Sequence, residues 1–163
     1  MAFSSRLSAA RFVAIMTPVA LLGGAIGSQY LGGLFPCEMC YWQRWPHLAA
    51  IALALVAIIL RGSPGLSRMF TVLAALAIGV SGGIGVFHAG VEYHWWEGLT
   101  ACSTNLGSGG MSTMDAIMNA PLIRCDVAQW TLGGISLAGF NAILSIGAAL
   151  LTLFLALTKR GRA

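Results

Sequence analysis

Charge is what this chain has least of. Of its 163 residues only 9% are Asp, Glu, Lys or Arg, against 58% hydrophobic. An ordinary globular domain carries roughly 25% charged residues. So few charges cannot cover a water-facing surface, so lipid must cover much of it. Mean hydropathy is +0.83. Basic residues interleaved with aromatics are missing too, so the net charge of +4 does not point to nucleic acid. No A-x-A site closes the first apolar run, which is also longer than the core of a signal peptide.

What is present is four apolar runs. Residues 12–31 carry no charge, and at about 1.5 Å per residue they span roughly 30 Å, one hydrocarbon core. Residues 45–60 form a second run that extends back through Trp42, giving a helix over about 41–60. Residues 69–91 form a third and 132–157 a fourth. The expected fold is an all-α membrane protein, a four-transmembrane-helix bundle in one domain over 1–163, with outer loops at about 32–40 and 92–131. In the second outer loop, Ser112 and Asp115 resemble a capping box, and Met111, Met114, Ile117 and Met118 recur near helical spacing before Pro121. A short amphipathic helix lying on the membrane surface fits them. Gly79 with Gly83, and Gly23 with Gly27, form G-x-x-x-G pairs of the kind that let helices approach in lipid.

Four spans put both termini on one side. With that side inside, Arg6, Arg11, Arg61, Arg68, Lys159, Arg160 and Arg162 are inside, seven of the nine basic residues. Only Arg44 and Arg124 lie outside, which is the distribution that cytoplasmic termini produce. All four cysteines, Cys37, Cys40, Cys102 and Cys125, then face the outer side, the compartment where disulfides persist. The tryptophans Trp42, Trp45, Trp95, Trp96 and Trp130 fall at span boundaries, as interfacial anchors do.

Cys37 and Cys40 form a C-x-x-C, which alone suits a redox pair, half a zinc site or a structural bridge. Tyr41 stands where a c-type haem would need His. The remaining cysteines, Cys102 and Cys125, form no second C-x-x-C, so the spacing fits zinc poorly and no metal is expected. Arg44 lies four residues after Cys40, on the same face of a helix, where a guanidinium would stabilise a Cys40 thiolate. An arginine at a bilayer edge points to function. His88 lies inside the third span near its outer end, within reach of a polar head group. His47 and His94 read as interfacial.

The segment from Pro36 to Arg44, PCEMCYWQR, resembles the signature of the disulfide-bond formation protein B family, DsbB. The pair Cys102 and Cys125, the stretch from Phe87 to Tyr93, and Arg124, Cys125, Asp126 and Trp130 followed by Gly134, Ile135 and Ser136 extend the likeness over roughly residues 12–157. The resemblance implies a bacterial inner-membrane thiol oxidase with its cysteines facing the periplasm. A reduced thioredoxin-fold partner, DsbA-like, would attack the Cys102–Cys125 disulfide through Cys102. Electrons would pass to Cys37–Cys40, and Cys40, beside Arg44, would engage a quinone, ubiquinone or menaquinone. Gln29 and His88 match family residues near that quinone. Gln43 and Glu92 stand where some members carry Glu and Gln. Two other classes share parts of the pattern. One is a vitamin K epoxide reductase-like enzyme. The other is a non-enzymatic adaptor whose disulfides only staple its loops.

Overall fold

The computed structural model describes residues 2–98 and 124–158. Cys102 and the expected surface helix around 112–120 lie outside the described residues. Four long helices make up the fold. They are α1 (Ala2–Tyr30), α2 (Glu38–Ile59), α3 (Pro64–Glu92) and α4 (Leu137–Leu157). Each is long and apolar enough to cross a membrane. A single 3-10 turn, Leu60–Gly62, joins α2 to α3, and a two-stranded hairpin, β1 (Thr131–Leu132) with β2 (Ile135–Ser136), precedes α4.

The helix limits differ from the hydropathy reading in instructive ways. α1 starts ten residues before the apolar run, because helical hydrogen bonds close in water as well as in lipid. α2 starts at Glu38, so the first outer loop is shorter than 32–40. Cys37 caps this helix, and its Sγ accepts from the Cys40 N–H at 3.4 Å. Pro64 occupies the first turn of α3, where its missing N–H costs nothing. The expected start of the last helix at 132 is corrected to Leu137. Gly133 (φ 60°) and Gly134 (φ 81°) take the left-handed conformation of a two-residue hairpin turn, and Ser136 then caps α4 by accepting from the Gly139 N–H at 3.1 Å.

The packing is the inverse of a soluble domain's. The large side chains point outward: Leu150 is 62% exposed and Phe154 60%. The interior is filled with Ala, Ser, Thr and Gly, and the clusters Ala14–Ala54–Ala74 and Ala50–Ile78–Ala149 join the helices. In lipid, small residues let backbones approach and apolar bulk faces the tails. α3 and α4 come close together at Gly82 and Gly85. A Cβ on Gly82 would stand 2.8 Å from Ile146, and one on Gly85 3.0 Å from the Ala138 carbonyl. Of the two G-x-x-x-G pairs, Gly79 alone has a neighbour in reach among the described residues, Ala149 at 3.6 Å; a Cβ on Gly23, Gly27 or Gly83 would meet none of them within 4 Å. Those three glycines do not mark the helix contacts.

The end of the bundle that carries the cysteines is tied by polar side chains. The Tyr93 hydroxyl, just past α3, donates to the Gly134 carbonyl at 2.9 Å and accepts from the Ser136 N–H at 2.9 Å. Gln129 donates to the Phe35 carbonyl at 2.6 Å. These contacts hold the segment carrying Cys125 against the start of α2.

Candidate functional site

The start of α2 and the end of α3 bring the sequence-predicted residues to one place. Cys37 is buried at the helix cap, and Cys40 is half-buried one turn later. The Cys37 thiol donates to Cys40 Sγ across 3.2 Å. That hydrogen bond, then burial and the neighbouring sulfur, pushes the Cys37 thiol well up from its ordinary value. In this geometry Cys37 is the donor of the pair and Cys40 Sγ the acceptor. Cys125, also buried, packs with Cys37, Met39 and Val91.

His88 is buried in α3 with its Nε2 3.5 Å from Cys37 Sγ and 3.7 Å from Glu92 Oε1. Its other nitrogen, Nδ1, is 2.8 Å from Gln43 Nε2. The same Gln43 nitrogen donates to the Met39 carbonyl at 3.2 Å, so it is the amide's NH2 end that faces the ring. Nδ1 then accepts, and Nε2 of the neutral ring carries the hydrogen and directs it toward Cys37 and Glu92. The Cys37, Cys40 and His88 ligand atoms lie within 4.8 Å of one another, a spacing a soft metal ion accepts. The hydrogen-bond pattern opposes that use, because a ligating Nε2 must be bare.

Arg44 reaches across to α1. Its Nη1 donates to Gln29 Oε1 at 2.7 Å and its Nη2 to the Ala25 carbonyl at 3.1 Å. The guanidinium carbon sits 5.2 Å from the Tyr41 ring centre. Gln29 is thus joined to Arg44. Outside the membrane-spanning helices, Arg124 grips Asp126 with two bonds, 2.9 and 2.6 Å, and holds that carboxyl at about 2.

Two residues of this region escaped the sequence reading. His47, read as interfacial, is only 3% exposed, and its Nε2 bonds Asn141 Oδ1 of α4 at 2.9 Å. Asn141 Nδ2 bonds Gln43 Oε1 at 2.7 Å, so an amide bridge links α2 to α4 inside the bundle. Asn141 is the strongest polar group in an otherwise apolar span. That was the available signal, since an amide in lipid is costly unless paired.

Between α1, α2, the end of α3 and the start of α4 lies a cavity of about 260 Å³. Its walls include Leu21, Phe35, Leu137 and Phe140, with Cys37, Cys40, Gln43, Arg44, His47, His88, Glu92 and Asn141 on the polar side. Cavities that hold drug-sized ligands run from about 300 to 1,000 Å³. This one suits a single ring. Two polar atoms beside it, Arg44 Nε and His47 Nδ1, are buried with no hydrogen-bond partner among the described residues.

A dithiol in the wall of a cavity, on a four-helix membrane scaffold, defines a multi-pass membrane thiol–disulfide oxidoreductase. The family model "Disulfide bond formation protein DsbB" matches residues 7–155. The chain belongs to the DsbB family, whose members serve as oxidoreductases in disulfide-bond formation. It is 28% identical over 148 residues to the disulfide bond formation protein B of Xanthomonas campestris pv. campestris (strain 8004), an alignment covering 86% of this chain and 85% of that one. It is 25% identical over 145 residues to an uncharacterized protein of Rickettsia prowazekii (strain Madrid E), covering 86% and 83%. No solved structure matches.

Proposed function

We propose that this protein reoxidises a reduced thioredoxin-fold partner on the outer side of a bacterial inner membrane and delivers the electrons to a membrane quinone. The observation that carries the reading is the meeting of Cys125, Cys37 and Cys40 at the edge of a cavity holding Arg44 and His88. The whole chain works as one domain, with both termini cytoplasmic.

The relay is ordinary thiolate exchange. The partner's thiolate attacks Cys102 of an oxidised Cys102–Cys125 pair, and Cys125 leaves as a thiolate. The partner's second thiolate then closes the partner's own disulfide and releases Cys102. Cys125 next attacks Cys37 of an oxidised Cys37–Cys40 pair, and Cys40 leaves. Cys102 attacks Cys125, which restores the loop pair and releases Cys37. Two electrons now reside on Cys37 and Cys40. Cys40, which accepts the Cys37 hydrogen bond and lies one turn before Arg44 on α2, is the sulfur that would carry the charge.

The cavity fits a quinone head group. Its walls are apolar, its volume suits one ring, and Arg44 Nε is a buried donor without a partner among the described residues. When bound, a quinone supplies a two-electron, two-proton acceptor. Gln29 and the Ala25 carbonyl hold Arg44 in place, and Gln43 holds His88. Both residues are thereby oriented before any ligand arrives.

The test is purification in detergent, followed by quinone reduction on addition of a reduced thioredoxin-fold dithiol. Reduction of one quinone per dithiol supports the relay. With a partner variant that keeps only its attacking cysteine, Cys125 still leaves as the thiolate, and a mixed disulfide with the partner should accumulate on Cys102. If that complex maps to Cys37 or Cys40 instead, the proposed order of electron flow is wrong.

A further inference from the structure

Asn141 imposes a direction on the hydrogen bonds around it. Its Nδ2 meets three acceptors, the Ser81 carbonyl and Ser81 Oγ, each at 3.2 Å, and Gln43 Oε1 at 2.7 Å. Its Oδ1 therefore faces His47 Nε2 at 2.9 Å, and it also accepts from Ser145 Oγ at 3.0 Å. An amide oxygen only accepts, so Nε2 of neutral His47 carries the ring hydrogen. His47 Nδ1 is left as a bare acceptor, buried and without a partner among the described residues. Arg44 Nε, three positions earlier on the same helix, is also orphaned, and it is a donor. Both residues line the cavity.

We propose that His47 accepts a hydrogen bond from a ligand hydroxyl, so that this cavity binds a hydroquinone in preference to the corresponding quinone. This rests on the quinone reading above and adds a direction to it. A quinone offers only carbonyl oxygens. One of them satisfies Arg44 Nε, and none donates to His47. A hydroquinone offers two hydroxyls, so one accepts from Arg44 while the other donates to His47 Nδ1. The reduced form alone completes both orphans.

The bond to His47 would also extend a chain already present. His47 donates to Asn141, Asn141 to Gln43, Gln43 to His88, and His88 directs its hydrogen at Cys37 Sγ 3.5 Å away. Every donor points toward the sulfur. Hydrogen bonds aligned head to tail polarise one another, so a hydroxyl entering at His47 joins a chain arranged to receive it. A pocket that holds the reduced form more tightly draws electrons out of the thiols. Each tenfold preference corresponds to about 30 mV for a two-electron couple.

The experiment uses the full chain in its disulfide form, which has no thiol to reduce a quinone. A short-tailed ubiquinone and its hydroquinone are titrated separately, without oxygen, and binding is followed by tryptophan fluorescence. The wild-type protein should bind the hydroquinone about tenfold more tightly, the scale of one buried hydrogen bond. His47→Leu should bring the ratio of the two affinities close to one. His47→Gln, which can offer an amide oxygen, should keep part of the preference. In wild-type protein the ¹⁵N resonance of His47 Nδ1 should shift with hydroquinone and stay in place with quinone, a readout that needs no variant. Equal binding of the two forms overturns the proposal. So does a preference that survives His47→Leu, or an unmoved resonance, which is the result expected if only water serves Nδ1. If neither form binds the wild-type protein, the quinone reading itself falls; if both bind equally, that reading stands and only the His47 proposal is lost.

Discussion

The two ends of the bundle solve different problems with the same four helices. At the end that carries the α2–α3 turn, Ala14, Ala54 and Ala74 are fully buried and close-packed. Polar groups there serve the backbone: Ser67 donates to the Ala57 carbonyl at 2.6 Å and receives Arg11 at 3.2 Å. At the cysteine end the helices part around a cavity, and the polar side chains bond one another across helices. All five tryptophans are exposed at that end. The difference teaches that stability and chemistry are separated along the membrane normal. The packed end fixes helix positions, and the open end can then hold orphaned donors and acceptors without the helices collapsing onto them.

That separation can be broken from either side. The largest effect belongs to the open end. Cys40→Ser should lower dithiol-driven quinone reduction by more than about a thousandfold, since it removes the reacting sulfur. Its thermal unfolding in detergent should stay near wild type. Next is Ala54→Leu at the packed end, where the site is 0% exposed. Overpacking should cost about 1–3 kcal/mol, read as a lower unfolding midpoint, while the protein that remains folded keeps its quinone dependence. A large change in quinone affinity with no loss of stability would show that the two ends are not separate.

Arg44→Met sharpens the comparison. It removes a charged donor from the cavity and breaks the bonds to Gln29 and the Ala25 carbonyl. The quinone concentration for half-maximal rate should rise about ten- to a hundredfold, the scale of one charge-assisted bond. Arg44→Lys should fall between, since ammonium keeps the charge and loses the planar fork. A single turnover of partner oxidation by preformed disulfides should survive both changes.

The smallest effect lies outside the membrane, at Asp126. Its carboxyl sits at about 2 because Arg124 holds it. A depressed carboxylate favours the folded loop above the ordinary carboxylate range, and that contribution disappears as pH falls from there toward 2. The carboxyl ¹³C resonance of Asp126 should titrate near 2 in wild type and move up in Arg124→Gln. The pair is exposed, so little change in unfolding temperature should accompany it.

The spans, the C-x-x-C, Arg44 and His88 stood out because each departs sharply from its surroundings: charge missing where it is ordinary, or polarity where it is costly; Gln29 was singled out only by the family resemblance. The hairpin before α4 was hidden by composition. Thr131 to Ser136 carries no charge and so merged with the apolar run that follows, and hydropathy reports lipid preference, not backbone conformation. Gly133 and Gly134 carried the missing signal. His47 and Asn141 went unread because nothing near either of them in sequence points to a partner. What gives them meaning is a contact across 94 positions of sequence, at 2.9 Å. The G-x-x-x-G pairs misled in the opposite sense, since a small residue permits a close approach without requiring one.

The outward-facing bulk has a consequence for how this sequence tolerates change. In a soluble protein, large apolar residues are the intolerant ones, each fitted to a shaped interior. Here the side chains that must fit are alanines, serines and glycines, and growth by one carbon is the damaging step. Leu150, Phe154 and their outward neighbours meet fluid tails that accept many shapes. A saturation scan should therefore look upside down: permissive at its leucines and phenylalanines, and strict at residues whose side chains are hardly there.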